Sequence, residues 1–131
     1  MTEDSSQIKI LLVDDDRFLL DMYSVKFQKS GLHVDVAPGS SIALQKLREG
    51  YKADIILLDI IMPTMDGIAL LEIMRAEKLA AEATVVMLTN QADDEEKAEK
   101  FGIDGFIVKA MTIPSEVVAK VLDIHKKRKK I

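Results

Sequence analysis

Short, continuously apolar runs recur along this chain, and four of them stop on a residue able to handle phosphate or a metal. Ile8 to Val13, apolar apart from Lys9, runs into Asp14, Asp15 and Asp16. Ile55 to Leu58 runs into Asp59, Val85 to Leu88 into Thr89, and Phe106 to Val108 into Lys109. A strand apolar at every position is buried on both faces, as in a parallel sheet sandwiched between helices. In such open sheets ligands bind outside the carboxyl ends of the strands. Carboxylates, a hydroxyl and an ammonium at four strand ends therefore converge on one edge.

The segments between the strands read as helices. Arg17 to Lys29 has helical spacing and stops at Ser30-Gly31; Leu32 to Ala37 alternates like a strand before Pro38-Gly39. Ser40 to Arg48 reads as a helix closed by Gly50, and Gly67 to Lys78 as one rich in Leu, Met and Ile. Thr84 to Leu88 is a strand, and Asp93 to Phe101 a helix with acids in its first turn, stopped by Gly102. Gly105 to Val108 is a strand, and Pro114 to Lys127 the last helix. Five strand–helix units result, joined by right-handed connections. The expected organisation is a flexible arm over residues 1–7, one domain over 8–127, and a basic tail over 128–131.

Composition narrows the function. At 48% hydrophobic and 31% charged, the 131 residues read as one soluble globular domain. The absence of cysteine excludes disulfide scaffolds, zinc-thiolate sites and thiol chemistry. No apolar run approaches the roughly 20 residues of a membrane span, and Met1 to Gln7 lacks the features of a signal peptide. A cytoplasmic location is expected. The net charge of −4 includes five consecutive cations, Lys126 to Lys130, so the body of the chain is more acidic than the total suggests. Such a body is a poor nucleic-acid binder. Such a run can touch nucleic acid or anionic lipid, but it better suits the solvated end of a last helix, where the cations complement its dipole.

Asp14, Asp15 and Asp59 form a set of hard oxygen donors suited to magnesium. Without a cation they repel one another. A carboxylate can also act as a nucleophile and form an aspartyl-phosphate. Lys109 and a metal would then neutralise phosphoryl oxygens while Thr89 donates a hydrogen bond. Taken singly, each residue has a plainer role. Asp16 suits a helix N-cap better than a ligand, Asp14 or Asp15 a solvated turn, Thr89 a strand end and Lys109 the surface. Their joint placement carries the argument.

From Ile8 to about Lys127 the chain resembles the receiver domain of two-component response regulators. The matching pieces are Leu12-Val13-Asp14-Asp15-Asp16, Leu58-Asp59 with Met62-Pro63-Thr64-Met65-Asp66-Gly67, Met87-Leu88-Thr89, and Gly105-Phe106-Ile107-Val108-Lys109. The resemblance implies a flavodoxin-like (βα)5 fold, doubly wound, with a five-stranded parallel sheet of order 2-1-3-4-5. It implies that Asp59 accepts phosphate from a sensor histidine kinase or a histidine phosphotransfer protein. It implies a magnesium ion held by Asp14, Asp15, Asp59 and the backbone carbonyl of Ile61. Thr89 and Lys109 would contact the phosphoryl group, and Thr89 with Phe106 would form the switch. By itself Phe106 also suits a core aromatic.

The chain departs from the family pattern after Thr89, where Asn90 replaces a small residue and is expected to crowd the phosphoryl pocket. It departs again after Lys109, where Ala110 replaces proline. The lysine–proline bond in the family is usually cis, which costs a non-proline residue roughly 2.5–4 kcal/mol. A trans bond, a rearranged loop from Lys109 to Pro114 and a less firmly placed Lys109 are expected. On the first helix Leu19, Met22, Tyr23 and Phe27 make an apolar stripe; Phe18 and Leu20 are surplus to it and are candidate docking residues for the phosphodonor. His33 and His125 have no second ligand at metal spacing.

Two other functions compete. A degenerate receiver would bind partners without phosphorylation, against which Asp59 and Lys109 argue. An aspartate-nucleophile phosphatase would need insertions for a substrate pocket, for which this chain has no room. There is no G-x-G-x-x-G and no G-x-x-x-x-G-K-[ST] for nucleotide binding.

Overall fold

The computed structural model describes residues 7–129; Met1 to Ser6 of the expected arm, and Lys130 and Ile131, lie outside the described residues. Five parallel strands form one sheet: β1 (Lys9–Asp14), β2 (His33–Pro38), β3 (Ile55–Leu58), β4 (Thr84–Thr89) and β5 (Gly105–Val108), in the order β2-β1-β3-β4-β5. The helices are α1 (Arg17–Lys29), α2 (Ser40–Arg48), α3 (Gly67–Ala76), α4 (Glu95–Glu99) and α5 (Pro114–Lys129). The doubly wound flavodoxin-like architecture is therefore the observed one.

The unbroken apolar strands serve two cores at once. Ile10 and Leu12 of β1, Ile55 and Leu57 of β3, and Val86 and Leu88 of β4 pack with Leu20, Tyr23 and Phe27 of α1 and Val117, Val118 and Val121 of α5. The intervening residues Leu11, Val13, Ile56, Leu58, Val85 and Met87 pack with α2, α3 and Ala98 of α4. Strand period two thus feeds both layers.

Three elements differ from expectation. α3 ends at Ala76, two residues short of Lys78, in a Schellman turn: Leu79 N–H donates to Met74 O at 2.8 Å and Lys78 N–H to Arg75 O at 3.2 Å. Lys78 holds the left-handed position, φ 58°, that glycine usually fills. The expected helix over Asp93 to Phe101 divides into a 3-10 turn, Ala92–Asp94, and the single short helix α4. Only Ala98 of this acidic stretch is buried, so little packing holds it. α5 continues to Lys129; Arg128 belongs to it rather than to a tail, donating to Glu82 O at 2.7 Å and pairing with Asp104.

Leu20 also differs. It is 4% exposed and packs in the core, whereas Phe18 is 75% exposed. Leu20 shares the inward face with Tyr23 and Phe27, three and seven residues on, so it is not a docking residue. His125 is buried against Thr84, while His33 is exposed beside Asp35.

Candidate functional site

The site forms where β1, β3, β4 and β5 end. Leu11 to Val13 and Ile56 to Leu58 lie in register, so Asp14 and Asp59 emerge side by side, each 7% exposed. Asp15, one residue further, is exposed. Carboxylate oxygens of Asp14, Asp15 and Asp59 lie within 4.8 Å of one another. A narrow apolar cleft lined by Leu12, Leu20, Tyr23, Leu57 and Leu88 runs up to Asp14 and Asp59.

Lys109 enters from the end of β5. Its Nζ donates to Asp14 Oδ2 at 2.8 Å and to Asp59 Oδ2 at 3.0 Å, with the side chain 14% exposed. The expectation of a loosely placed Lys109 is thus overturned. Burial alone would lower its pKa, but hydrogen bonds and charge from Asp14 and Asp59 outweigh that and hold the ammonium above the ordinary lysine range. The remaining carboxylate oxygens are also engaged. Asp16 N–H donates to Asp14 Oδ1 at 2.9 Å, and Ile60 N–H to Asp59 Oδ1 at 2.7 Å. Asp16 itself caps α1, accepting from Phe18 N at 3.0 Å and Leu19 N at 3.3 Å.

Thr89 closes β4, fully buried, and its Oγ1 accepts from Gln91 N at 3.2 Å. Phe106 is half-buried on the face that packs α2, α3 and α4. Asn90 is exposed, and its Oδ1 accepts the Ala110 N–H at 2.8 Å. That bond directs its side-chain carbonyl to the loop after β5. The Lys109–Ala110 peptide is trans and opens a 3-10 turn, Lys109–Met111. Ile61 follows the Asp59–Ile60 turn and is 56% exposed.

Two supporting residues gave weaker signals in the sequence. Gly67 opens α3 against the backbone of Asp59: its N–H donates to Ile60 O at 2.7 Å, and a Cβ there would overlap the Asp59 carbonyl. The turn that brings it back carries Thr64 at φ 72°, and Asp66 caps α3 by accepting from Ala69 N at 2.8 Å. Tyr23 reads in the sequence as one member of a core stripe, yet it reaches the floor of the site. Burial raises its pKa, the positive charge of Lys109 opposes that, and Asp14 adds to it.

The geometry can hold a divalent cation on three carboxylates while one ammonium bridges two of them. Residues 10–122 match the model of the response regulator receiver domain. The chain is 33% identical over 120 residues to the DNA-binding response regulator MtrA of Mycobacterium tuberculosis, covering 90% of this chain and 50% of that protein. It is 31% identical over 113 residues to the alkaline phosphatase synthesis transcriptional regulatory protein PhoP of Bacillus subtilis, covering 86% and 46%. The chain spans about half the length of the curated relatives it matches. Among solved structures, a CheY-like receiver domain protein from Methanospirillum hungatei superposes with a TM-score of 0.85 at 26% identity, covering 95% of this chain and 98% of that one. The response regulator TrrA of Thermotoga maritima, solved in complex with Mg2+-BeF, gives 0.77 at 26% identity, covering 90% and 99%.

Proposed function

The chain belongs to the response regulator receiver family, and from that premise we propose that it is a phosphorylation-controlled signalling module with Asp59 as the phosphoacceptor. One observation carries this: Lys109 bridges Asp14 and Asp59 while Asp15 stands within reach of both. The donors from a phosphohistidine are a sensor histidine kinase or a histidine phosphotransfer protein. An Asp59 carboxylate oxygen attacks phosphorus, the O–P bond forms, the N–P bond breaks, and the departing imidazole nitrogen takes a proton from water. Lys109 follows the charge onto the phosphoryl oxygens, and Thr89 releases Gln91 to donate its hydroxyl. Hydrolysis of the aspartyl-phosphate by water restores the resting state, so the chain acts only on its own phosphoryl group.

The donor set fits magnesium, a hard ion that favours carboxylates and water. Asp14, Asp15, Asp59 and the Ile61 carbonyl are the proposed ligands, and the ion when bound would offset charge on the phosphoryl oxygens. Phe18, Ile61, Met111 and Ile113 are exposed apolar side chains in segments that follow β1, β3 and β5, at the edge that holds the site. We assign Phe18 and these neighbours to docking of the phosphodonor. Signalling then passes through Thr89 and Phe106 to a downstream partner protein. No helix among the described residues is long and apolar enough to cross a membrane.

Incubation with magnesium and phosphoramidate, followed by intact mass measurement, should show one added phosphoryl group that hydroxylamine removes. Asp59→Asn should abolish it. Labelling of that variant at the wild-type level would defeat the assignment, and failure to bind magnesium would favour a degenerate receiver.

A further inference from the structure

We propose that Asn90 is a positioning residue for Lys109, holding the Lys109–Ala110 peptide through its hydrogen bond to the Ala110 N–H. The inference rests on the phosphoacceptor reading for its functional consequence, but the contact itself stands on geometry.

The β4–β5 backbone pairing ends at Thr89 and Val108. Beyond it, the Lys109 side chain must leave the strand in one direction to reach both Asp14 and Asp59. Its upstream backbone is set by the sheet. Its downstream peptide is held at both ends: Lys109 O accepts from Thr112 N at 3.3 Å, and Ala110 N–H donates to Asn90 Oδ1 at 2.8 Å. Oxygen and hydrogen of one peptide plane are thus both engaged, which fixes the rotation of that plane behind Lys109. Proline at position 110 would have no N–H and would set its own φ covalently. Alanine leaves a donor and a freely rotating φ, and Asn90 supplies the missing restraint from the neighbouring strand end.

The arrangement also links two parts of the site. Asn90 directly follows Thr89, whose hydroxyl is engaged with Gln91 N–H. A shift of Thr89 toward a phosphoryl oxygen pulls on the residue that holds the peptide behind Lys109. The two side chains that meet the phosphoryl group are then coupled by one hydrogen bond between their loops.

Three measurements test this on the whole chain. Hydrogen exchange of the Ala110 amide, read by NMR, should quicken in Asn90→Ala while the β4 and β5 amides keep their protection. Magnesium titration should show Asn90→Ala binding more tightly by roughly threefold to fivefold, about the worth of one hydrogen bond, because a loosened Lys109 competes less for Asp14 and Asp59. In a Lys109→Met background the same substitution should leave magnesium affinity unchanged, since the residue it acts through is gone. Phosphorylation of Asn90→Ala by phosphoramidate should be slower than wild type. An unchanged Ala110 exchange rate, an equal magnesium effect in both backgrounds, or faster phosphorylation would each overturn the proposal. A wild-type chain that takes no phosphoryl group defeats the phosphoacceptor reading alone, because exchange and magnesium binding still decide the role of Asn90.

Discussion

His125 Nδ1 lies 2.7 Å from the Thr84 hydroxyl oxygen, a buried hydrogen bond that fastens α5 to the start of β4. Burial lowers the His125 pKa; Lys129 and Arg128 push the same way, against Asp54 and Asp104. The folded state therefore binds this proton less readily than the unfolded chain does. The stability it contributes is fully present above the unfolded value of about 6.5 and is lost as pH falls through that value toward the lower folded one. Urea midpoints at pH 7.5 and pH 5 should show wild type losing stability that a His125→Asn variant does not lose. A wild-type-minus-variant difference that stays constant with pH would refute this. At neutral pH a His125→Leu variant, which offers no polar atom in place of Nδ1, should be destabilised by about 1–3 kcal/mol, through a buried Thr84 hydroxyl left without its partner.

Lys109 carries the opposite sign. Its folded pKa is raised by Asp14 and Asp59 despite burial, so its contribution is fully present below the unfolded value of about 10.4 and is lost as pH rises through the folded one. At neutral pH the ammonium therefore competes with any cation for Asp14 and Asp59. Lys109→Met should tighten magnesium binding several-fold, yet slow phosphorylation by phosphoramidate at least about tenfold, one pKa unit's worth of lost charge stabilisation. Isothermal titration and intact mass kinetics check the two halves. Weaker magnesium binding in the variant would show that Lys109 organises the carboxylates more than it competes for them.

Gly67 is required by contact rather than by backbone freedom. A methyl group there would overlap the Asp59 carbonyl oxygen, which is backbone and cannot swing aside as a side chain would. Gly67→Ala should cost about 1–3 kcal/mol as an overpacked contact and should lower phosphorylation of Asp59 by displacing its backbone. Urea unfolding and phosphorylation yield measure these separately. Wild-type stability in the variant would mean that α3 shifts at little cost and that the close approach does not position Asp59.

The fold was legible because the interiors of β1, β3 and β4, Ile10 to Val13, Ile55 to Leu58 and Val85 to Leu88, are apolar without interruption, which points to a sheet covered on both sides. The acids were legible because they end those strands. What escaped were relationships between residues far apart in the chain. Lys78 ends α3 in a left-handed turn with no glycine to announce it. Leu20 reads as surplus until α1 is rotated onto the sheet, where it joins Tyr23 and Phe27. Asn90 and Ala110 read as two separate departures from a pattern, each a loss. Twenty residues apart, they meet as donor and acceptor, and no local periodicity encodes such a pairing.

Ile61 bears on how long the phosphoryl group lasts. Its exposed side chain, two residues beyond Asp59, has no donor or acceptor with which to align an attacking water. Ile61→Asn should shorten the aspartyl-phosphate half-life several-fold, of the order expected when one positioned hydrogen bond orients a nucleophile. Decay is followed by intact mass after the phosphodonor is removed. Gln91 is also exposed near Thr89, so the comparison is made again in a Gln91→Ala background, where the effect should grow if both amides serve the same water. A half-life that lengthens in Ile61→Asn in both backgrounds would mean that Ile61 does not act by leaving water unaligned.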